Sequence, residues 1–178
     1  MTFNGSCGYM PYAPDEDWHS TRKVISMLQQ VTSGRGNLLL NIGPQPDGSV
    51  PQQAVDRLIP VGKWLKKNEE AVYGEKDNIQ GCFDFCPLGS WTRKGRTAYF
   101  WCTRWPGKKI TIGGFRRKLK KASFLTNGKI IRFKQNKQQL TLMGLPKNNP
   151  DKIAQRSVIK LEFVSKPVQK LGAGCVII

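Results

Sequence analysis

Asn37-Leu38-Leu39-Leu40-Asn41-Ile42, closed by Gly43-Pro44-Gln45-Pro46-Asp47-Gly48, decides how the amino-terminal part of this chain folds. Its apolar run does not alternate with polar residues, which is the pattern of a strand covered on both faces, as in a parallel sheet. The Gly, Pro and Asp residues that follow make a loop by turn chemistry. Upstream, Val24, Met27, Leu28 and Val31 recur at helical spacing and Ile25 widens the stripe, predicting a helix over Asp17 to Ser33. Ser20 can cap its start and Gly34 its end. Downstream, Pro51 opens a second helix with Val55, Leu58, Ile59 and Leu65 on its apolar face and Gly74 at its end. Pro60 inside it predicts a kink. Helix, buried strand, loop, helix is the repeat unit of an α/β barrel or a doubly wound sheet. One strand cannot bury itself, so this unit is expected to need partners that the chain does not contain.

Beyond Gly74 the period changes to two. Thr97 to Thr103 is rich in aromatics, Ile131 and Phe133 alternate with Arg132 and Lys134, and Leu140 and Leu142 alternate with Thr141 and Met143. Ile159, Leu161 and Phe163 alternate with Lys160 and Glu162. Asn127-Gly128 between two such runs is a strong hairpin signal, and Trp105-Pro106-Gly107 is a further turn. Short strands at regular spacing predict an antiparallel sandwich, each strand with one apolar and one wet face, the basic residues on the wet one. The predicted organisation is therefore α/β followed by all-β, residues 1–76 forming the first unit and residues 77–178 the second, with a boundary near Glu75 to Ile79.

Charge divides the chain at the same place. Of the formal net charge of +17 over 178 residues, none falls on Met1 to Gly74, which holds seven Lys/Arg and seven Asp/Glu. Glu75 to Ile178 holds 22 basic and five acidic residues. Such asymmetry suggests either a solubilising basic surface or a unit that meets a polyanion. No apolar run approaches the roughly 20 residues of a spanning helix, so no membrane segment is expected. Met1 to Gly8 has neither a basic n-region nor an apolar h-region, so no signal peptide is read there. The cysteines, Cys7, Cys82, Cys86, Cys102 and Cys175, are odd in number, and with His19 as the single histidine they do not make a zinc set. They read as small core residues. Cys175-Val176-Ile177-Ile178 matches a prenylation pattern, but a four-residue match is cheap, and the segment reads as a final apolar strand or tail.

Three segments taken together resemble the last third of the α-L-fucosidases, a family of retaining glycoside hydrolases. They are Asn4-Gly5-Ser6-Cys7-Gly8-Tyr9, the Gly36 to Pro44 strand with Asp47-Gly48, and Gly62-Lys63-Trp64-Leu65 running to Glu70-Ala71-Val72-Tyr73-Gly74. Trp105-Pro106-Gly107 and Ala122-Ser123-Phe124-Leu125 resemble the family's carboxy-terminal sandwich. The resemblance implies that Asn37 to Ile42 is the last strand of a (β/α)8-type barrel and that both helices belong to its outer ring. It implies a fucosylated glycan as substrate of the whole enzyme, secreted, periplasmic or lysosomal relatives, and no cofactor or metal. The active site of such barrels lies at the carboxy-terminal ends of the strands, which makes Cys7, Tyr9, Asn41 and Asp47 candidate substrate-lining residues. Cys7 stands where the family usually has a tryptophan near the bound sugar.

Retaining hydrolysis needs two carboxylates about 5–5.5 Å apart. The resemblance places nucleophile and acid/base upstream of Met1, so no catalytic residue is assigned within this chain and the chain alone is expected to be inactive. Read from its position after the strand, Asp47 is a catalytic candidate; read from composition, it orders an Asp-Gly turn. Asp15-Glu16-Asp17 suits the positive end of the following helix. The competing function is a non-catalytic basic sandwich that binds a polyanion, either sulfated polysaccharide or nucleic acid. Arg116, Arg117, Lys118, Lys120 and Lys121 are its densest cations, and strand alternation would send Lys118 and Lys120 to one face. Trp91, Tyr99, Trp101 and Trp105, interleaved with Arg93, Lys94, Arg96 and Arg104, would be its stacking platforms.

Overall fold

The computed structural model describes residues 1–74, 79 and 87–169, and the backbone of 175–176. The expected boundary falls largely outside these residues, as do Cys82, Cys86 and most of the Cys175 to Ile178 pattern.

Helix α1 spans Thr21–Ser33, and Ser20 caps it by accepting from the Lys23 amide at 3.2 Å. It stops at Gly34, whose amide bonds back to Gln30. The predicted first turn at Asp17 is instead a separate 3-10 turn, Asp15–Asp17. Helix α2, Gln52–Val72, begins after Pro51 and runs through Pro60. The Thr21 hydroxyl donates to the Arg57 carbonyl beside that proline at 3.0 Å. Between the helices, Asn37 to Ile42 does not form the continuous buried strand expected of it. It makes a single parallel bridge, Asn41 with Thr2. The Asn41 amide donates to Met1 O at 2.8 Å and the Phe3 amide to Asn41 O at 2.9 Å. Leu39 is 80% exposed. A run built to be covered on both faces has here one short neighbour, and its apolar middle residue faces solvent.

The second part is a sandwich of two antiparallel sheets. Strands β1 (Gly89–Lys94), β2 (Thr97–Cys102), β7 (Val158–Phe163) and β4 (Leu119–Phe124) form the first, in the order β1-β2-β7-β4. Strands β5 (Arg132–Asn136), β6 (Gln139–Met143), β3 (Lys109–Ile112) and β8 (Cys175–Val176) form the second, in the order β5-β6-β3-β8. Phe100, Ile110, Ile112, Phe115, Leu140, Leu142, Leu161 and Phe163 fill the space between them.

Three sequence expectations change here. The outer face of the first sheet is wet only in part, Lys121 and Glu162 keeping to solvent at one side of it. Tyr99, Trp101 and Val158 point away from the sandwich core into a second core with Val24, Ile25, Met27, Val61, Trp64 and Ala71 of the helices. The aromatic density of β2 follows, because a strand buried on both faces has no polar positions to spare. On this sheet Arg93 is 4% exposed and Lys160 pairs with Glu70 at 2.6 Å, whereas Arg132 and Lys134 of β5 keep to solvent as expected.

The turn at Asn127-Gly128 exists, with Gly128 at φ 69°. Its arms pair only at Ser123 with Ile130, after which the chain crosses to the other sheet, because β4 is already paired with β7. Finally, β4 bulges between Leu119 and Lys121 in that pairing. Lys120 and Lys121 are both exposed, and strict alternation from Lys118 fails because a bulge adds one residue to the period.

Candidate functional site

The parallel bridge sends two segments past its carboxy-terminal end, Asn4 to Tyr9 after the first and Ile42 to Ser49 after the second. They are locked together by Gly43. A Cβ there would overlap the Gly8 carbonyl carbon and the Tyr9 amide nitrogen, so only glycine permits the approach. Asn41 then donates from Nδ2 to Cys7 O at 2.7 Å, and the Tyr9 hydroxyl donates to Gln45 Oε1 at 3.3 Å. Thus Cys7, Tyr9 and Asn41 come together as a polar rim at the end of the bridge. Gln45 joins them, a residue that the sequence reading placed in a loop without a role. Cys7 is exposed with a free thiol, unlike the buried Cys102, so the core reading of cysteine fails at Cys7.

Asp47 serves its own turn. Its Oδ1 accepts from the Ser49 amide at 2.9 Å and the Ser49 hydroxyl at 2.7 Å. These bonds hold its carboxyl below the usual carboxylate range. A fully ionised acceptor that is satisfied locally fits the turn role. Asp47 is the single acidic residue between Asp17 and Asp56, so this stretch offers no carboxylate pair. Asp15 is engaged with Arg57 at 2.7 Å.

The basic candidates separate as well. Arg116 and Lys118 border a cleft described below, while Arg117, Lys120 and Lys121 do not line it. Lys121 lies 4.0 Å from Glu162. Of the four stacking platforms of the nucleic-acid reading, three are enclosed and Trp105 is partly buried. Trp91, Tyr99 and Trp101 are core residues, and Trp105 packs on Phe124 with its Nε1 bonded to Pro146 O at 2.9 Å.

A polar hub missed by the sequence reading joins the two parts. Asp151 accepts from Trp64 Nε1 at 3.2 Å and from the amides of Ile153, Ala154 and Arg156. The Arg156 side chain reaches Ser26 of α1 and the Thr103 carbonyl. Burial, with Arg22 nearby, lowers the pKa of Arg156.

A family model described as alpha-L-fucosidase matches residues 1–70. The chain is 39% identical over 74 residues to the α-L-fucosidase of Dictyostelium discoideum, covering 41% of this chain and 16% of that protein. It is 38% identical over 103 residues to the tissue α-L-fucosidase of Homo sapiens, covering 57% and 22%. The structure of α-L-fucosidase isoenzyme 1 from Paenibacillus thiaminolyticus superposes with a TM-score of 0.81 at 25% identity. That superposition covers 92% of this chain and 38% of the other. The chain therefore spans about a fifth of the length of the curated relatives it matches. Its two parts together share the fold of the corresponding part of the solved enzyme.

Proposed function

From the premise that this chain belongs to the α-L-fucosidase family and spans only part of its members' length, we propose that it builds one side of a fucose-binding mouth. The whole enzyme hydrolyses terminal α-L-fucose from glycoconjugates with retention of configuration. The observation that carries this reading is the Asn41 to Cys7 bond over Gly43. It sets two polar segments at the carboxy-terminal end of a parallel pair, where barrel enzymes bind substrate. Asn41 and Tyr9 orient sugar hydroxyls there, and Cys7 contributes a small apolar contact. The nucleophile and the acid/base come from barrel strands outside these residues, so this chain alone does not turn over.

Two measurements test the proposal. The purified chain is expected to release no aryl alcohol from an aryl α-L-fucoside. Turnover that survives repurification and is lost in Asp47→Ala would overturn the assignment of Asp47 to its turn. In addition, residues 1–178 replace the matching part of the human tissue enzyme. A chimaera that folds and hydrolyses the fucoside supports the reading, and one that folds without any hydrolysis refutes it.

A further inference from the structure

We propose that the open side of the sandwich carries a binding cleft for a sulfated sugar unit. β4 and β5 are the edge strands of their respective sheets, and the turn at Asn127-Gly128 sets them side by side. The Gln135 side chain ties the two edges together. Its Oε1 accepts from the Leu119 amide at 2.8 Å and its Nε2 donates to Arg117 O at 2.9 Å. Around this rung lies a cleft of about 420 Å3, lined by Arg116, Lys118, Leu119, Phe133, Gln135 and Lys137. That volume lies within the range of small-molecule sites.

Three observations point to the ligand. First, among the described residues no acidic side chain forms an ion pair with Arg116, Lys118 or Lys137, whereas nearby Lys121 faces Glu162. Second, Phe133 is partly buried against the sandwich core and, with Leu119, gives the cationic rim an apolar lining. An isolated anion has no use for such a lining. A sugar ring does, laying its C–H face on an aromatic while its sulfate meets the cations. Third, Lys137 sits at φ 51° in the turn between β5 and β6. A left-handed backbone costs a non-glycine residue roughly 1–2 kcal/mol, so a turn that needed no side chain would do better with glycine. A single-stranded nucleic acid is the less suitable occupant, because the cleft is lined by one aromatic, Phe133, whereas successive bases stack on several.

The cleft stands on its own residues, and only the choice of a fucan as probe rests on the α-L-fucosidase reading. The full chain is titrated calorimetrically with a sulfated fucan, its desulfated form, a sulfated galactan and single-stranded DNA, at low and moderate salt. The expected result is binding of sulfated but not desulfated polymer. It weakens with salt, because exposed charges are screened over roughly 8 Å near physiological ionic strength. Lys118→Gln and Lys137→Gly each weaken binding up to about fivefold, the value of one exposed ion pair. Lys137→Gly also keeps or raises the melting temperature, which separates a binding role from a folding one. Lys63→Gln, an equal loss of charge on α2, leaves affinity unchanged.

Binding of both sulfated polymers establishes the cleft whatever the family reading. Binding of the fucan alone establishes it and links it to that reading. Equal binding of the desulfated fucan, no binding of either sulfated polymer, or equal damage from Lys63→Gln overturns the proposal. DNA binding as tight and through the same residues also overturns it. An active chimaera beside an empty cleft would leave the enzymatic reading intact.

Discussion

Gly43 holds the candidate mouth together because it has no side chain. The atoms that a Cβ would overlap are backbone atoms of Gly8 and Tyr9, so no rotamer change makes room. Gly43→Ala is expected to separate the Cys7 loop from Asn41 at a cost of about 1–3 kcal/mol, the usual price of overpacking. A lower urea midpoint and a shifted Asn41 side-chain amide resonance would register it. Cys7→Trp in the chimaera is expected to lower KM by roughly fourfold, the effect of one recovered methyl contact, with kcat unchanged. Asp47 gives a pH test. Its carboxyl is held below the ordinary carboxylate range by Ser49, so its bonds steady the loop above that range and are lost as pH falls through the lowered midpoint. A carbon-13 titration should place that midpoint below the usual value of about 3.9, and Ser49→Ala should raise it only part of the way back, because the residue-49 amide still donates. Ser20, Gly34 and the Asp47-Gly48 turn were legible because capping and turn chemistry act within four residues. Gln45 and Gln135 were not, because a glutamine in a polar stretch carries no local mark of the partner it meets across space.

The loop from Asn149 to Ser157 connects elements that the sequence keeps far apart. Asp151 accepts one indole and three backbone donors and is buried. Asp151→Ala therefore orphans several donors at once and is expected to cost about 3–5 kcal/mol, as when one partner is removed from a buried charged network. Asp151→Asn, which keeps an acceptor, should cost clearly less. Chemical denaturation of both variants gives the comparison. In sequence this loop reads as polar punctuation, since Trp64 lies 87 residues away from its acceptor. The strands around it were legible from their alternation. The pairing of β4 with β7, rather than with the strand beyond its own turn, was not. A two-residue turn signal reports where a chain reverses, not which sheet it joins next. The bulge at Lys120 escaped for a similar reason, because it is defined against Phe163 and Glu162 on another strand.

At the scale of the molecule, the neutral amino-terminal part rests on a strongly basic sandwich, and its Asn37 to Ile42 segment is covered on one face only, where Leu38, Leu40 and Ile42 pack on the helices' core. Amides of Asn37 to Ile42 are expected to exchange with solvent orders of magnitude faster than those of β2, because they lack a ladder and β2 is buried on both faces. Full protection of that segment in a monomeric chain would contradict the exposed placement of Leu39. The two helices and the sandwich class could both be read from periodicity. That the helices cover one sheet of the sandwich could not, since two-faced burial looks in sequence like mere aromatic enrichment. This shared wall also has an optical consequence. Trp64 of α2 and Trp101 of β2 sit with ring centroids 5.6 Å apart at 37°, one indole on each side of the seam. Rings so close in a fixed, chiral arrangement contribute a near-ultraviolet circular dichroism signal that survives only while their packing is fixed. Trp91, by contrast, stacks on Phe100 inside the sandwich. The absorption bands of one residue type thus report two events, and lifting the helices from the sheet would extinguish the Trp64–Trp101 signal while the far-ultraviolet signature of the strands persisted.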